Sequence, residues 1–105
     1  MIARIWRGAT RAADADAYLA YLDRTGHAEY RRVAGHRRTV TLRRTVGDRA
    51  EFVVLTLWDS LDTVRGFAGT DVERAVFYPE DDRYLVARED RVAHFDVVYE
   101  DSDEP

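Results

Sequence analysis

Arg4 and Trp6 near the start of the chain, Phe52, Thr56 and Trp58 in its middle, and Tyr78 and His94 towards its end are the residues whose types could do chemistry together. An imidazole is the usual general base near neutral pH, so His94 could take the proton of a phenol or of an activated carbon. A guanidinium would stabilise the phenolate or enolate left behind, which is the part open to Arg4. Trp6, Trp58 and Phe52 offer aromatic faces for stacking, and Thr56 shares their side of a strand. Tyr78, just before Pro79, offers a phenol that donates to a substrate carbonyl, with Tyr84 across the same loop. Three of these residues have a plainer alternative: a core or dimer-interface aromatic for Trp58, an interface salt bridge for Arg4, and a hydrogen-bonded structural imidazole for His94. Asp96, about 7 Å along the strand from His94, would tune it only loosely. His27 and His36 read as exposed, no metal site is expected from their spacing, and Glu80-Asp81-Asp82 with Arg83 read as solvated surface or a dimer salt bridge.

These side chains need elements to position them. Alternation from Met1 to Arg7 predicts a strand with Ala3 and Ile5 on one face and Ile2, Arg4 and Trp6 on the other. Ala15, Leu19, Leu22, Gly26, Tyr30 and Val33 recur at helical spacing over 12–33, with Thr10 as N-cap and Gly26 as a break. A second strand over 36–46 and a third over 50–58 flank Gly47-Asp48 as a hairpin. The third strand is apolar on both faces and so belongs in the middle of a sheet. Asp59 or Ser60 starts a second helix that Gly69 closes, a helical turn follows over 71–77, a loop or single turn spans 78–84, and a fourth strand runs over 91–99. The expected fold class is α+β: a ferredoxin-like βαββαβ domain over residues 1–100, with a four-stranded antiparallel sheet in the order 4-1-3-2 and both helices on one face. Residues 101–105 read as an acidic tail. If Val53, Leu55 and Leu57 meet the helices, then Phe52, Val54, Thr56 and Trp58 face outward with Arg4 and Trp6. That open face would be closed by a second copy of the chain.

With 105 residues, 46% of them hydrophobic, the chain has room for one core. Sixteen basic residues, all Arg, stand against twenty acidic ones, and no basic block exceeds an Arg-Arg pair, which argues against nucleic acid as a partner. The absence of Cys removes thiolate metal sites, disulfides and cysteine nucleophiles, and Asn and Gln are absent too. There is no phosphate loop, nucleophile elbow or nicotinamide fingerprint. With no apolar h-region at the start and no run of about 18 apolar residues, a cytoplasmic protein with no membrane partner is expected.

From MIARIWRG through LRRTVGDRAEFVVLTLWDS and DTVRGFAG to VAHFDVVYE, the chain resembles the antibiotic biosynthesis monooxygenase family of the dimeric α/β-barrel superfamily, most specifically in Trp58 followed by Asp59-Ser60. The resemblance implies a homodimer in which each barrel cleft holds an aromatic substrate such as an anthrone or hydroquinone. It also implies oxidation by molecular oxygen as co-substrate with no cofactor, in a pathway of secondary metabolism. His94 and Arg4 would be catalytic, and Trp6, Trp58, Thr56, Phe52 and Tyr78 would bind substrate. The haem-degrading branch of the family uses an Asn, a helical Trp and a helical His; this chain has no Asn, and no His in its second helical region. A non-catalytic binding or accessory protein is the alternative function, and a cyclase or isomerase using the same cleft is a third.

Overall fold

Alternating side chains and two glycine-centred turns build the sheet. The elements run β1 (Ile2–Arg11), a 3-10 turn (Ala12–Asp14), α1 (Ala15–Arg24), α2 (Gly26–Tyr30), β2 (His36–Val46), β3 (Arg49–Trp58), α3 (Leu61–Ala68), α4 (Asp81–Tyr84), β4 (Leu85–Arg88) and β5 (Ala93–Asp96). The computed structural model describes residues 1–101; the acidic tail expected at 101–105 lies outside the described residues except for Asp101. Among the described residues no helix is long and apolar enough to cross a membrane.

The sheet has the order β2-β3-β1-β4, with β5 also paired to β1, and every pairing is antiparallel. This is the expected order, with one change at the outer edge. Two short strands share the place of the predicted fourth: β4 pairs with Gly8–Thr10 and β5 with Ile2–Ile5. The cause is the segment after α3, which takes up the backbone between them. Ala75 donates to the Asp90 carbonyl at 2.9 Å, and Val92 donates to the Glu73 carbonyl at 2.7 Å. The helical turn expected over 71–77 is therefore an irregular segment bridged to Arg91 through Arg74.

The expected faces are inverted. The β1–β3 register pairs Ile2 with Trp58, Arg4 with Thr56, Trp6 with Val54, Gly8 with Phe52 and Thr10 with Ala50, and this whole set turns towards the helices. Trp58, Phe52 and Val64 are buried, and Tyr18 meets Phe52 edge-on with ring centroids 4.9 Å apart. Removing each such side chain from water contributes about 1.5–3 kcal/mol. Ala3, Ile5, Val53 and Leu55 point the other way. Alternation alone could not choose, because both faces of β3 are apolar, and pairing ties β1 to the same choice.

Local signals explain the helix ends. Thr25 breaks the first helical region at φ −113°, ψ −95°, and its hydroxyl donates to the Tyr21 carbonyl at 2.8 Å. Thr10 does not cap it: it lies within β1, buried, with its hydroxyl on the Arg11 carbonyl. Ser60 does cap α3, in a reciprocal capping box with Thr63.

Gly35 holds the turn into β2 at φ +91°, and a Cβ there would lie 2.3 Å from Thr63 Cγ2. Gly35→Ala is expected to lower the unfolding free energy by about 2–4 kcal/mol in urea, from backbone strain plus overlap. Adding Thr63→Ser, which deletes the methyl and keeps the capping hydroxyl, should recover only part of the steric loss, since the Thr63 Cβ would still lie 2.6 Å away.

Candidate functional site

Beneath the helices, where the sheet meets the segment after α3, lies a cavity of about 40 Å³. This is room for roughly two or three waters. The sheet contributes Arg4, Trp6 and Val54; the helices contribute Tyr18, Tyr30 and Phe67; the segment 75–78 and Asp81 close the remaining side. Gly8 makes the Trp6 wall possible, since a Cβ at that position would come within 2.4 Å of the indole. The indole N–H donates to the Glu89 carbonyl at 2.9 Å, which fixes the ring.

Arg4 is the unusual group. It is only 4% exposed and has no carboxylate within ion-pairing distance among the described residues. Its Nη1 donates to the Val72 carbonyl and lies 3.1 Å from His94 Nε2, its Nη2 donates to the Arg74 carbonyl at 2.8 Å, and its guanidinium carbon sits 5.7 Å from the Phe67 ring centre. Three of a guanidinium's roughly five N–H bonds are thereby used, all on neutral acceptors. Since arginine only donates, His94 Nε2 must be the acceptor, which makes His94 a neutral imidazole protonated on Nδ1. Burial, with the charge of Arg4 added, holds the His94 pKa below its ordinary value. Burial also lowers the Arg4 pKa. It stays a cation, because guanidinium has far to fall before it deprotonates.

Asp81 supplies the opposite character. It is 4% exposed, and its Oδ2 accepts the Tyr78 backbone N–H at 2.6 Å. Burial pushes its carboxyl above the ordinary carboxylate range, with Asp82 adding to the effect and the Tyr78 N–H and Arg88 opposing it. Around it, desolvation raises the phenols: Tyr30 is pushed up to about 12 despite the pull of Arg4, and Tyr18 and Tyr78 go higher still. All three tyrosines are therefore neutral donors at physiological pH. The cavity thus offers an uncompensated cation, a reluctant carboxylate and aromatic walls.

The residues expected from sequence divide into three groups. Arg4, Trp6 and Tyr78 line the cavity. His94 stands behind Arg4 and does not line it. Phe52, Thr56 and Trp58 lie within the core, the Trp58 indole N–H donating to the Thr56 hydroxyl at 2.8 Å and its ring packed on Tyr30, His36 and Phe67. Sequence reasoning missed Asp81, which is the inward-turned member of the acidic run taken as surface, and it missed Tyr30 and Phe67 as cavity walls. His27 and His36 are partly buried rather than exposed.

A comparison with protein-family models gives no match, and a comparison with curated proteins gives none. Solved structures do match. A Bacillus cereus protein described as an antibiotic biosynthesis monooxygenase superposes with a TM-score of 0.68 at 12% identity, covering 96% of each chain. The haem-degrader MhuD of Mycobacterium tuberculosis, with two haems in its active site, gives 0.59 at 20% identity over 97% of this chain and 100% of its own. A variant of MhuD holding two manganese protoporphyrins per active site gives 0.60 at 19% identity, over 97% and 99%. The ferredoxin-like fold of that group is therefore shared. Those porphyrins correct the expectation of a cofactor-free site: proteins of this fold do carry a cofactor in their active sites. In this chain the cavity wall provides no His, Cys or Met, and its phenols are held neutral. The donor set of the cavity as built does not fit an iron porphyrin.

The raised Asp81 pKa has a definite sign for stability. Across the interval between the ordinary carboxylate range and its native value, the folded chain binds more protons than the unfolded one, so this group's contribution falls as pH rises. Asp81→Asn keeps an oxygen for the Tyr78 N–H and removes that dependence. The variant's stability relative to the parent, measured by urea unfolding, should be greater at pH 7 than at pH 4.5; a difference independent of pH would contradict the shift.

Proposed function

We propose that the cavity binds a small aromatic molecule with an acidic hydroxyl or enolisable carbonyl, and that the chain oxygenates it with molecular oxygen. The observation that carries this reading is Arg4: a buried cation with N–H bonds to spare and no ion-pair partner among the described residues, set in an aromatic cavity, suits an anionic oxygen. Arg4 stabilises the phenolate or enolate oxygen as it forms. Asp81, which lines the same cavity, takes the proton, its raised basicity suiting it to that transfer. His94 keeps Arg4 in place by accepting one of its N–H bonds. Trp6, Tyr30 and Phe67 hold the ring, and the ring of Tyr78, whose hydroxyl donates to Glu29, adds a further aromatic wall. A cavity on the order of 150 Å³ takes one benzene, so the walls must move apart as the substrate enters. Two kinds of support come from neighbours of the same fold, one described as a monooxygenase and one as a haem-degrader.

Oxygen consumption with a panel of anthrones and hydroquinones tests this. Uptake is expected, with kcat reduced about a hundredfold or more in both Arg4→Met and Asp81→Asn. Uptake equal in all three proteins would remove the cavity from the account. Saturable binding without uptake would mark a binding protein, and deuterium exchange into the substrate without uptake would mark an isomerase or cyclase.

The chain is also proposed to pair with a second copy through the sheet face turned away from the helices. Val40, Leu42, Val53, Leu55, Ile5 and Phe95 form that face, and Leu42 and Phe95 are 52% and 55% exposed, which a lone chain would leave in water. Sedimentation should give about twice the 12.1 kDa chain mass, falling to one chain in Leu55→Glu. A parent protein that sediments as a single chain would contradict the pairing.

A further inference from the structure

A second concave site lies apart from the aromatic cavity, where α2 meets the start of β2. This groove of about 380 Å³ is lined by Arg31, Arg37 and Arg38 around two imidazole–hydroxyl pairs, and no carboxylate lines it. His27 Nε2 lies 2.7 Å from the Thr41 hydroxyl, and His36 Nε2 lies 2.8 Å from that of Thr39. The two acids nearby are engaged and do not line the groove. Asp23 holds His27 Nδ1 at 2.6 Å, and Asp59 binds Arg37 through both carboxylate oxygens at 2.5 and 2.9 Å. Arg31 and Arg38 have no ion-pair partner among the described residues.

Among the described residues seven of the sixteen guanidiniums have a carboxylate partner, Arg37 in this groove among them, so it is the convergence of Arg31 and Arg38 on one concave surface, rather than the lack of a partner alone, that marks the site. Two unpaired guanidiniums beside a third, over a floor of hydroxyls and imidazoles, form a fork-rich electropositive pocket. The His36 pKa reports the same field. Burial is the main cause of its depression, and the charge of Arg31 adds to it. A single carboxylate would neutralise only one of the two unpaired cations. A phosphate carries close to two negative charges and three acceptor oxygens, which matches both the charge and the spread of donors.

We propose that this groove binds the phosphate group of a small phosphorylated ligand. The site is independent of the aromatic cavity, although Tyr30 touches both: it lines the cavity and stacks on His36 with ring centroids 5.8 Å apart and planes 23° from parallel.

The test is titration with inorganic phosphate and with pyrophosphate at constant ionic strength, followed by the ring resonances of His27 and His36 and the amides of Thr39 and Thr41. Saturable shifts confined to the groove are expected, together with a rise in the His36 pKa, because a bound dianion offsets the field of Arg31. Arg31→Ser with Arg38→Ser should weaken binding about tenfold or more, since two charge-assisted contacts are lost. Arg49→Ser, outside the groove, should leave it unchanged. Circular dichroism of the double variant establishes that it is folded. Shifts that do not saturate, that persist in the folded double variant, or that chloride or acetate reproduces at the same concentrations would overturn the assignment.

Discussion

The buried guanidinium of Arg4 is the constraint around which the site is arranged. A cation taken out of water must be surrounded by acceptors, or it destabilises the fold by several kcal/mol. Here three acceptors come from two segments distant in sequence from β1: the Val72 and Arg74 carbonyls in the segment after α3, and His94 on β5. One side chain on β1 thereby fixes the irregular segment that closes the cavity and aligns the edge strand beside it. Because none of these acceptors carries a negative charge, the charge of Arg4 is left uncancelled and is available to the cavity. The same contacts that hold the wall in place make that wall electropositive.

The sheet divides its two faces between different tasks, and β3 shows how. Ala50, Phe52, Val54, Thr56 and Trp58 fill the space beneath the helices, while Val53 and Leu55 belong to an apolar face on the other side. Trp58 serves the site indirectly: it packs against Tyr30 and Phe67, two of the aromatic walls, and so sets their positions. Tyr30 in turn separates two chemically distinct places, the aromatic cavity and the arginine-lined groove. The short α2 helix that carries Tyr30 exists because Thr25 ends α1 early, bringing His27 and Tyr30 against the start of β2.

Much of this was readable from residue order. The glycine turn at 47, the Ser60 cap, the break near Gly26 and the neighbouring placement of Arg4 and His94 follow from local patterns and from strand order. The direction of the sheet faces did not follow, because alternation fixes only that residues two apart share a side, and β3 is apolar on both. The split of the last strand depends on backbone bonds from Glu73 and Ala75, residues whose types carry no strand signal. Asp81 was hidden for a related reason. Within Glu80-Asp81-Asp82 the three acids look alike, and only the single turn of α4, with the Tyr78 N–H beside it, turns the middle one inward. Tyr30 and Phe67 carry the spacing of ordinary core residues, and they do pack; it is the unfilled space next to them that gives them a second use.

Whether Arg4 holds an anion can be measured without turnover. A hydroxylated anthraquinone, whose visible spectrum reports ionisation of its phenol, can be titrated with acid and base while bound to the protein. The phenol pKa of the bound dye is predicted to fall below its value in water, and Arg4→Met is predicted to abolish that fall while the dye stays bound. A bound phenol with an unchanged or raised pKa would contradict the account, because an apolar cavity without an effective cation raises the pKa of an acid it desolvates.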